Sequence, residues 1–162
     1  MSSFRGKFTN KLDAKGRVSV PSKFRTVAQS QGMNGIYCFR SFKGPFLEAG
    51  GPALNAEIDA LLDGLGTFSD ELNELAAVLV AESDELLFDA DGRVLLSEEL
   101  REHAGLEEKG QVTFVGMRRK FQIWEPSAYE RFRQSALEAV RHHDDLLRSP
   151  SAPRRPITGG DG

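Results

Sequence analysis

Strict alternation of apolar and polar residues opens the chain and predicts a β-strand over residues 4–12. Its two faces carry alternate residues. One face holds Phe4, Gly6, Phe8, Asn10 and Leu12, and the other holds Arg5, Lys7, Thr9 and Lys11. The cations therefore gather on a single face of the predicted strand.

The next segment, Asp13-Ala14-Lys15-Gly16, fits a tight turn into a second strand. An aspartate at the first turn position accepts backbone N–H groups, and glycine tolerates a positive φ. Beyond the turn, Val18 and Val20 point one way and Arg17 and Ser19 the other. We therefore predict a hairpin whose basic face and tip consist of Arg5, Lys7, Lys11, Arg17 and, at the tip, Lys15.

The same pattern returns later in the chain, where residues 88–96 match residues 12–20. The repeated turn motif comprises Asp13, Gly16 and Arg17 in the first copy and Asp89, Gly92 and Arg93 in the second. Each copy continues into a short helix and a further strand, which indicates a tandem duplication of one small unit. The two aspartates can be explained as turn builders alone, but a turn does not require the arginines.

Three amphipathic stripes predict helices outside the copies. They are Leu54, Ile58, Leu61 and Leu65; Phe68, Leu72, Leu75 and Leu79, with Thr67 and Asp70 as a capping box; and Tyr129, Phe132, Ala136 and Val140. We expect them to cover the sheet, the alternative being contacts with other subunits. The predicted organisation is a first repeat over 4–52, connecting helices over 53–82, a second repeat over 83–126, a C-terminal helix over 127–148 and a disordered tail over 149–162.

Charge divides the chain, although the net charge is only −3. Residues 1–45 contain nine lysines and arginines and a single acid, Asp13, whereas residues 46–108 contain seventeen acids and two arginines. A local basic patch is enough for nucleic-acid binding, whatever the overall balance. Attraction between the basic and acidic segments of the chain is the alternative explanation.

Composition and motifs narrow the function classes. Hydrophobic residues make up 40% and charged residues 28%, as in globular proteins, and 11 phenylalanines predict a phenylalanine-rich core. We expect no membrane span and no signal peptide. The single cysteine, Cys38, excludes an intramolecular disulfide, and no nucleotide loop, metal-ligand spacing or nucleophile motif is present. We therefore expect neither an enzyme nor a cofactor.

Several segments together resemble the MraZ family. They are Phe-Arg-Gly at 4–6, the run from Leu12 to Pro21, the second Asp-Ala-Asp-Gly-Arg at 89–93, Glu-His-Ala-Gly-Leu at 102–106 and Lys-Phe-Gln-Ile-Trp at 120–124. The resemblance implies an α+β fold with a mainly β core, in which two tandem SpoVT/AbrB-like units form swapped-hairpin, double-split β-barrel halves of an intrachain pseudo-dimer. It also implies closed rings that bind short direct repeats upstream of the division and cell-wall gene cluster. The family's DNA-contact arginine corresponds to Arg17 and, formally, to Arg93.

The chain departs from the family pattern in two places. The segment 70–78 lacks the arginines that the family often carries there, and Ser97 stands where the first copy has Pro21. The first departure removes a basis for assigning DNA or ring contacts to that helix. The second is mild, because serine can cap the following helix.

We therefore expect a transcriptional regulator in the cytoplasm, associated with the nucleoid, whose partners are double-stranded DNA and further copies of itself in an octameric ring. The candidate DNA contacts are Arg5, Lys7, Lys11, Lys15 and Arg17. The motif positions with structural roles are Asp13, Gly16, Asp89, Gly92 and Arg93. The alternative is a protein-binding, antitoxin-like scaffold whose basic hairpin docks an acidic partner.

Overall fold

The computed structural model describes residues 3–147, so the tail predicted over 149–162 lies outside the described residues. The strands are β1 Lys7–Lys11, β2 Arg17–Ser19, β3 Gly35–Arg40, β4 Leu47–Gly50, β5 Asp84–Leu87, β6 Arg93–Leu95, β7 Gln111–Gly116 and β8 Phe121–Trp124. The helices are α1 Ser22–Ser30, α2 Pro52–Asp63, α3 Asp70–Ala76, α4 Glu98–Ala104 and α5 Pro126–Arg141, with a π-helical turn over Ala77–Ala81 and a 3-10 turn over Asp144–Leu147. The α+β prediction is confirmed.

The main sheet interleaves strands from the two sequence copies. Its order is β1-β7-β8-β4-β3-β5, and all neighbours are antiparallel. The first copy's β1 pairs with the second copy's β7, and the second copy's β5 pairs with the first copy's β3. Each copy thus lends its first strand to the other, which is the swapped intrachain pseudo-dimer implied by the resemblance.

The strands flanking each Asp-x-x-Gly-Arg turn do not form a ladder with each other, which corrects the predicted local hairpin. Instead β2 pairs with its counterpart β6, and the register is Arg17 with Leu95, Val18 with Val94 and Ser19 with Arg93. Val18 and Val94 are buried in one shared core. Alternation along a strand predicts which face is buried but not which strand is its neighbour. The predicted hairpin paired each strand with the one next to it in sequence.

Phenylalanines fill the centre of this core, as predicted. The Phe24 ring lies 5.4 Å from the Phe4 ring and 4.8 Å from the Phe121 ring, between centroids, and Phe114 lies 6.2 Å from Phe121. All four side chains are buried. Because they come from α1, the N-terminal segment, β7 and β8, the core joins both copies.

One backbone hydrogen bond connects each turn to the opposite copy. Val20 N donates to Gly92 O at 3.1 Å, and Leu96 N donates to Gly16 O at 2.9 Å. The two glycines adopt φ values of +85° at Gly16 and +76° at Gly92, a region in which a side chain is unfavourable. The turn glycines are therefore also the points of contact between the copies.

An arginine from the opposite copy packs on each turn glycine. Arg25 Nη1 donates to Val20 O at 2.9 Å while its guanidinium lies over Gly92, where a Cβ would overlap it. Arg101 Nε donates to Leu96 O at 3.1 Å, and a Cβ on Gly16 would lie 3.2 Å from that nitrogen. We call these paired contacts of Gly16 and Gly92 the interlock.

The buried stripe of α2 differs from the predicted one by one position. Leu54 and Leu62 are buried, and Ile58 packs in the same cluster as Leu54, whereas Leu61 is 60% exposed. The inward positions of α2 therefore follow a spacing of four residues, Leu54, Ile58 and Leu62, rather than the mixed spacing of four and three that was predicted. Leu61 therefore faces solvent.

The start of α3 also differs from its prediction. Ser69, rather than Thr67, is the N-cap residue, and its Oγ accepts a hydrogen bond from Leu72 N at 3.1 Å. The shift places Phe68 before the helix, where its side chain is 95% exposed instead of belonging to the apolar stripe.

The chain divides into two compact units, Met1–Tyr129 and Glu130–Gly162. In the second unit the large residues of the predicted apolar stripe of α5 are not buried: Phe132 is 40% exposed and Val140 50%. Among residues 3–147, no helix combines the length and the apolar character that a membrane span requires.

Substitution of the turn glycines tests the interlock. Gly16→Ala and Gly92→Ala each force a side chain into the left-handed region, at about 1–2 kcal/mol, and also displace the opposite copy. Gly105→Ala is the matched control, because Gly105 has φ +65° but an added Cβ would meet no atom within 4 Å. We expect chemical denaturation to show larger stability losses at Gly16 and Gly92 than at Gly105; equal losses would contradict the interlock.

Candidate nucleic-acid interface

The antiparallel pair β2 and β6 forms a two-stranded ribbon with one buried and one outward face. Val18 and Val94 point inward, so alternation places Arg17, Ser19, Arg93 and Leu95 on the outward face. Arg17 lies opposite Leu95, and Arg93 lies opposite Ser19. The exchange of strands therefore brings the two motif arginines, which are far apart in sequence, onto one ribbon.

Asp13 orients Arg17 through its two carboxylate oxygens. Oδ1 accepts backbone N–H bonds from Arg17 at 2.8 Å and from Lys15 at 2.9 Å, and Oδ2 accepts from Arg17 Nε at 2.8 Å. These bonds, the one from the Arg17 backbone first, hold the pKa of Asp13 below its usual value. Because Nε is occupied, the two terminal Nη groups of Arg17 form the end that is available to a ligand.

The second turn repeats this geometry but surrounds its arginine with more negative charge. Asp89 Oδ1 accepts from the Arg93 and Asp91 backbone N–H groups, and Oδ2 accepts from Arg93 Nε, each at 2.9 Å. The pKa of Asp89 is lowered, mainly by the Arg93 backbone bond. Arg93 also lies 3.3 Å from Asp91 and 3.8 Å from Asp13. Three carboxylates thus share the guanidinium of Arg93.

Lys15 and Lys11 lie close to Arg17 along the chain. Lys15 is an exposed residue of the Asp13 turn, and Lys11 is the last residue of β1, on the solvent side of the main sheet. Within residues 3–147, neither ammonium group forms an ion pair with a carboxylate, nor do the side chains of Arg5 and Lys7. The charges of Lys11 and Lys15 are therefore not paired with acids of the described chain, whereas Arg17 is paired with Asp13.

Lys7 and Arg5 are not brought together with Arg17. Lys7 lies about 13 Å along β1 from Lys11, at the usual strand rise, and its Nζ is 5.6 Å from the centre of the Tyr129 ring. Arg5 precedes β1, and its Nε donates to Ser3 Oγ at 2.9 Å. The predicted single face that carries all the cations is therefore split, because β1 belongs to the main sheet and Arg17 to the ribbon.

Leu95 is a candidate contact that sequence analysis missed. Its side chain is 58% exposed on the outward face, directly across from Arg17. The run Val94-Leu95-Leu96 is typical of a core strand, yet Val94 and Leu96 are buried and Leu95 is not. The repeat is the sequence signal that could have identified Leu95 as outward-facing, since Leu95 occupies the position of Ser19 in the first copy.

Neither a metal site nor a reactive thiol is indicated among residues 3–147. No group of three or more histidine, cysteine or acidic side chains in that range is arranged to hold a metal ion. Burial raises the pKa of the Cys38 thiol far above its usual value, which disfavours the reactive thiolate. The outward ribbon carries available cations, and their charge is suited to an anionic ligand.

Comparison with known proteins agrees with this geometry. A family model described as "MraZ protein, putative antitoxin-like" matches residues 79–147. The chain is 54% identical over 161 residues to the Transcriptional regulator MraZ of Parvibaculum lavamentivorans, covering 99% of both chains. It is 45% identical over 141 residues to that of Xanthobacter autotrophicus, covering 87% of this chain and 88% of the relative.

A third relative extends the same finding. The chain is 45% identical over 152 residues to the Transcriptional regulator MraZ of Methylocella silvestris, covering 94% of this chain and 90% of the relative. Alignments of this length include both copies of the Asp-x-x-Gly-Arg unit and the helices between them. The chain therefore belongs to the MraZ family.

Proposed function

We propose that this chain is a sequence-specific, DNA-binding transcriptional regulator that acts as a closed ring on short direct repeats upstream of the division and cell-wall gene cluster. The relatives' name, transcriptional regulator, supports the regulatory role. The proposed function needs no catalytic group, and its site of action is the nucleoid in the cytoplasm.

One observation carries the assignment of the contact residue: the two motif arginines differ in how much negative charge surrounds them. Arg17 is ion-paired with Asp13 alone among the described residues, whereas Arg93 is within 4 Å of carboxylates of Asp13, Asp89 and Asp91. A guanidinium shared by three carboxylates has little left to offer a phosphate or a base. The first turn is therefore the DNA-reading turn, and the second completes the scaffold.

The ribbon suits the major groove, which admits a two-stranded β-ribbon. The Nη groups of Arg17 match the two acceptors of guanine, O6 and N7. Leu95 beside it offers an apolar contact of the kind that thymine methyl groups make, and Lys11 and Lys15 supply phosphate contacts. One chain presents a single such turn, so its binding is weak until several copies act together.

Assembly into a ring supplies these copies. Exposed apolar side chains of α2 and the following loop, Leu61 at 60% and Phe68 at 95%, form the surface proposed to contact the next subunit. Other members of the first apolar stripe are not available for subunit contact, because Leu54 is buried and Ile58 packs within the chain. A contact between two different surfaces of the same chain closes into a ring when its rotation permits, and an octamer is the expected size.

Substitution of the two arginines tests the division of labour between the turns. Arg17→Ala should cost about 1–3 kcal/mol per engaged site and weaken preference for the repeats, whereas Arg93→Ala should leave preference intact. Filter binding with DNA from upstream of the chain's own gene, against a scrambled sequence, measures both. The assignment would be reversed if Arg17→Ala still preferred the repeats over the scrambled sequence while Arg93→Ala, as an intact oligomer, did not.

Substitution of the lysines tests how far the interface extends. Lys11→Ala and Lys15→Ala should weaken binding to all sequences alike and each lower the salt slope by about one, because each removes one phosphate contact. Lys7→Ala serves as the matched comparison and should change neither quantity. A salt-slope change in Lys7→Ala equal to that in Lys11→Ala would show that the DNA follows β1 as well.

Removal of the exposed apolar residues tests the assembly. The double variant Leu61→Ser with Phe68→Ser should dissociate the ring, because the apolar area that drives subunit contact is lost. Phe42→Ser is the control, since Phe42 is 61% exposed but lies in the β3–β4 turn. Light scattering at micromolar concentration should show a smaller mass for the double variant alone; a wild-type monomer or dimer would reject the ring.

The rival function, a scaffold whose basic hairpin docks an acidic protein, makes a different prediction for the same DNA. A scaffold shows salt-dependent shifts that are equal on repeat-containing and scrambled DNA, because charge attraction alone carries no sequence information. A regulator distinguishes the two sequences. Gel shifts over a range of salt concentrations decide between them.

A further inference from the structure

A cavity of about 240 Å³ lies on the first unit, away from the ribbon. Three segments that are distant in sequence converge on it: the N-terminal segment, the region where α1 ends and α2 begins, and the β7–β8 turn. Its polar lining consists of Ser3, Arg5, Gln31, Glu57, Arg118 and Arg119. Three arginines therefore line one concave space together with a single carboxylate.

The charges in this cavity are only partly balanced. Arg119 is ion-paired with Glu57, and Arg5 Nε donates to the neutral Ser3 hydroxyl at 2.9 Å. Within residues 3–147, neither Arg5 nor Arg118 has an ion pair with a carboxylate. Guanidinium groups bind phosphate oxygens through paired N–H bonds, so this arrangement is suited to a compact phosphorylated anion.

Backbone hydrogen bonds join the two segments that carry these arginines. Phe4 N donates to Arg118 O at 2.7 Å, and Arg118 N donates to Phe4 O at 2.9 Å. Gly116 lets the two segments approach, because a Cβ there would lie 2.5 Å from Phe4 O. The N-terminal segment and the β7–β8 turn are thus fixed to each other, which reduces the ordering cost of binding.

The backbone of Arg118 adopts a conformation that is uncommon for a residue with a side chain, as does that of Lys109. The φ of Arg118 is +72°, in the region where hairpin turns favour glycine or asparagine. An arginine at that position is less favourable than a glycine, because its side chain disfavours a positive φ. Strain of this kind is found at binding sites, where the side chain is needed despite its cost.

We propose that this cavity binds the phosphate or diphosphate group of a small molecule, through Arg5, Arg118 and Arg119. The volume is below the roughly 300–1,000 Å³ of pockets for whole drug-sized ligands, so the anionic group enters and the remainder of the ligand stays outside. Arg5, predicted as a DNA contact, belongs to this site instead. The site is separate from the ribbon because Arg5 and Arg17 lie beyond opposite ends of β1.

Titration calorimetry of the full chain with inorganic pyrophosphate and with inorganic phosphate tests the proposal. Arg118→Asn should weaken pyrophosphate binding at least tenfold while leaving the melting temperature unchanged or higher, since asparagine tolerates a positive φ. Glu57→Gln should tighten binding, because it removes the one carboxylate that competes with the ligand. Arg40→Gln is the control, since Arg40 pairs with Glu82 outside the cavity and its loss should have no effect.

The outcomes separate this site from the DNA interface and from assembly. Saturable pyrophosphate binding that Arg118→Asn abolishes, with DNA affinity and oligomer mass unchanged, supports the proposal even if the ribbon proves not to bind DNA. No saturable binding at millimolar pyrophosphate overturns it. Equal losses in Arg40→Gln and Arg118→Asn also overturn it, as does an Arg118→Asn variant whose main defect is weaker DNA binding or a smaller oligomer.

Discussion

The exchange of strands between the two sequence copies is the constraint on which the rest of this structure depends. β1 completes the sheet around β7, β5 completes it around β3, and β2 pairs with β6. The interlock at Gly16 and Gly92 fixes how far the two turns can separate. Because each copy supplies what the other lacks, the outward ribbon exists only when both copies are folded.

A duplicated scaffold allows the two turns to diverge in charge without a change of backbone. Both turns keep an aspartate that accepts the same three hydrogen bonds, so Arg17 and Arg93 are presented alike. The neighbouring position is Lys15 in one turn and Asp91 in the other, and that single exchange reverses the local charge. The residues that set the backbone geometry of the turn and the residue that sets its charge therefore occupy different positions of the same short motif.

Sequence patterns predict the individual strands, turns and core residues of this molecule better than they predict which strands pair. The turn chemistry follows from residues that are near each other in sequence, the repeat follows from direct comparison of two segments, and the phenylalanine core follows from composition; the structure agrees with all three. The pairing of β2 with β6 does not follow, because period-two alternation is satisfied equally by a neighbouring strand and by a distant one. The same reason explains why Arg5 could not be separated from Arg17, or joined with Arg118 and Arg119, before the sheet was known.

The aspartate of the turn has opposing effects on the arginine that it holds. Its negative charge lowers the attraction of Arg17 for phosphate, but its bond to Nε restricts the guanidinium to one orientation and leaves the Nη edge exposed. If Arg17 contacts a base as proposed, this fixed orientation reduces the entropy that is lost on binding, and lysines such as Lys15 would supply the general attraction to DNA. In the proposed function, a turn built in this way would favour discrimination between sequences over affinity, and affinity would then depend on the number of turns that bind together.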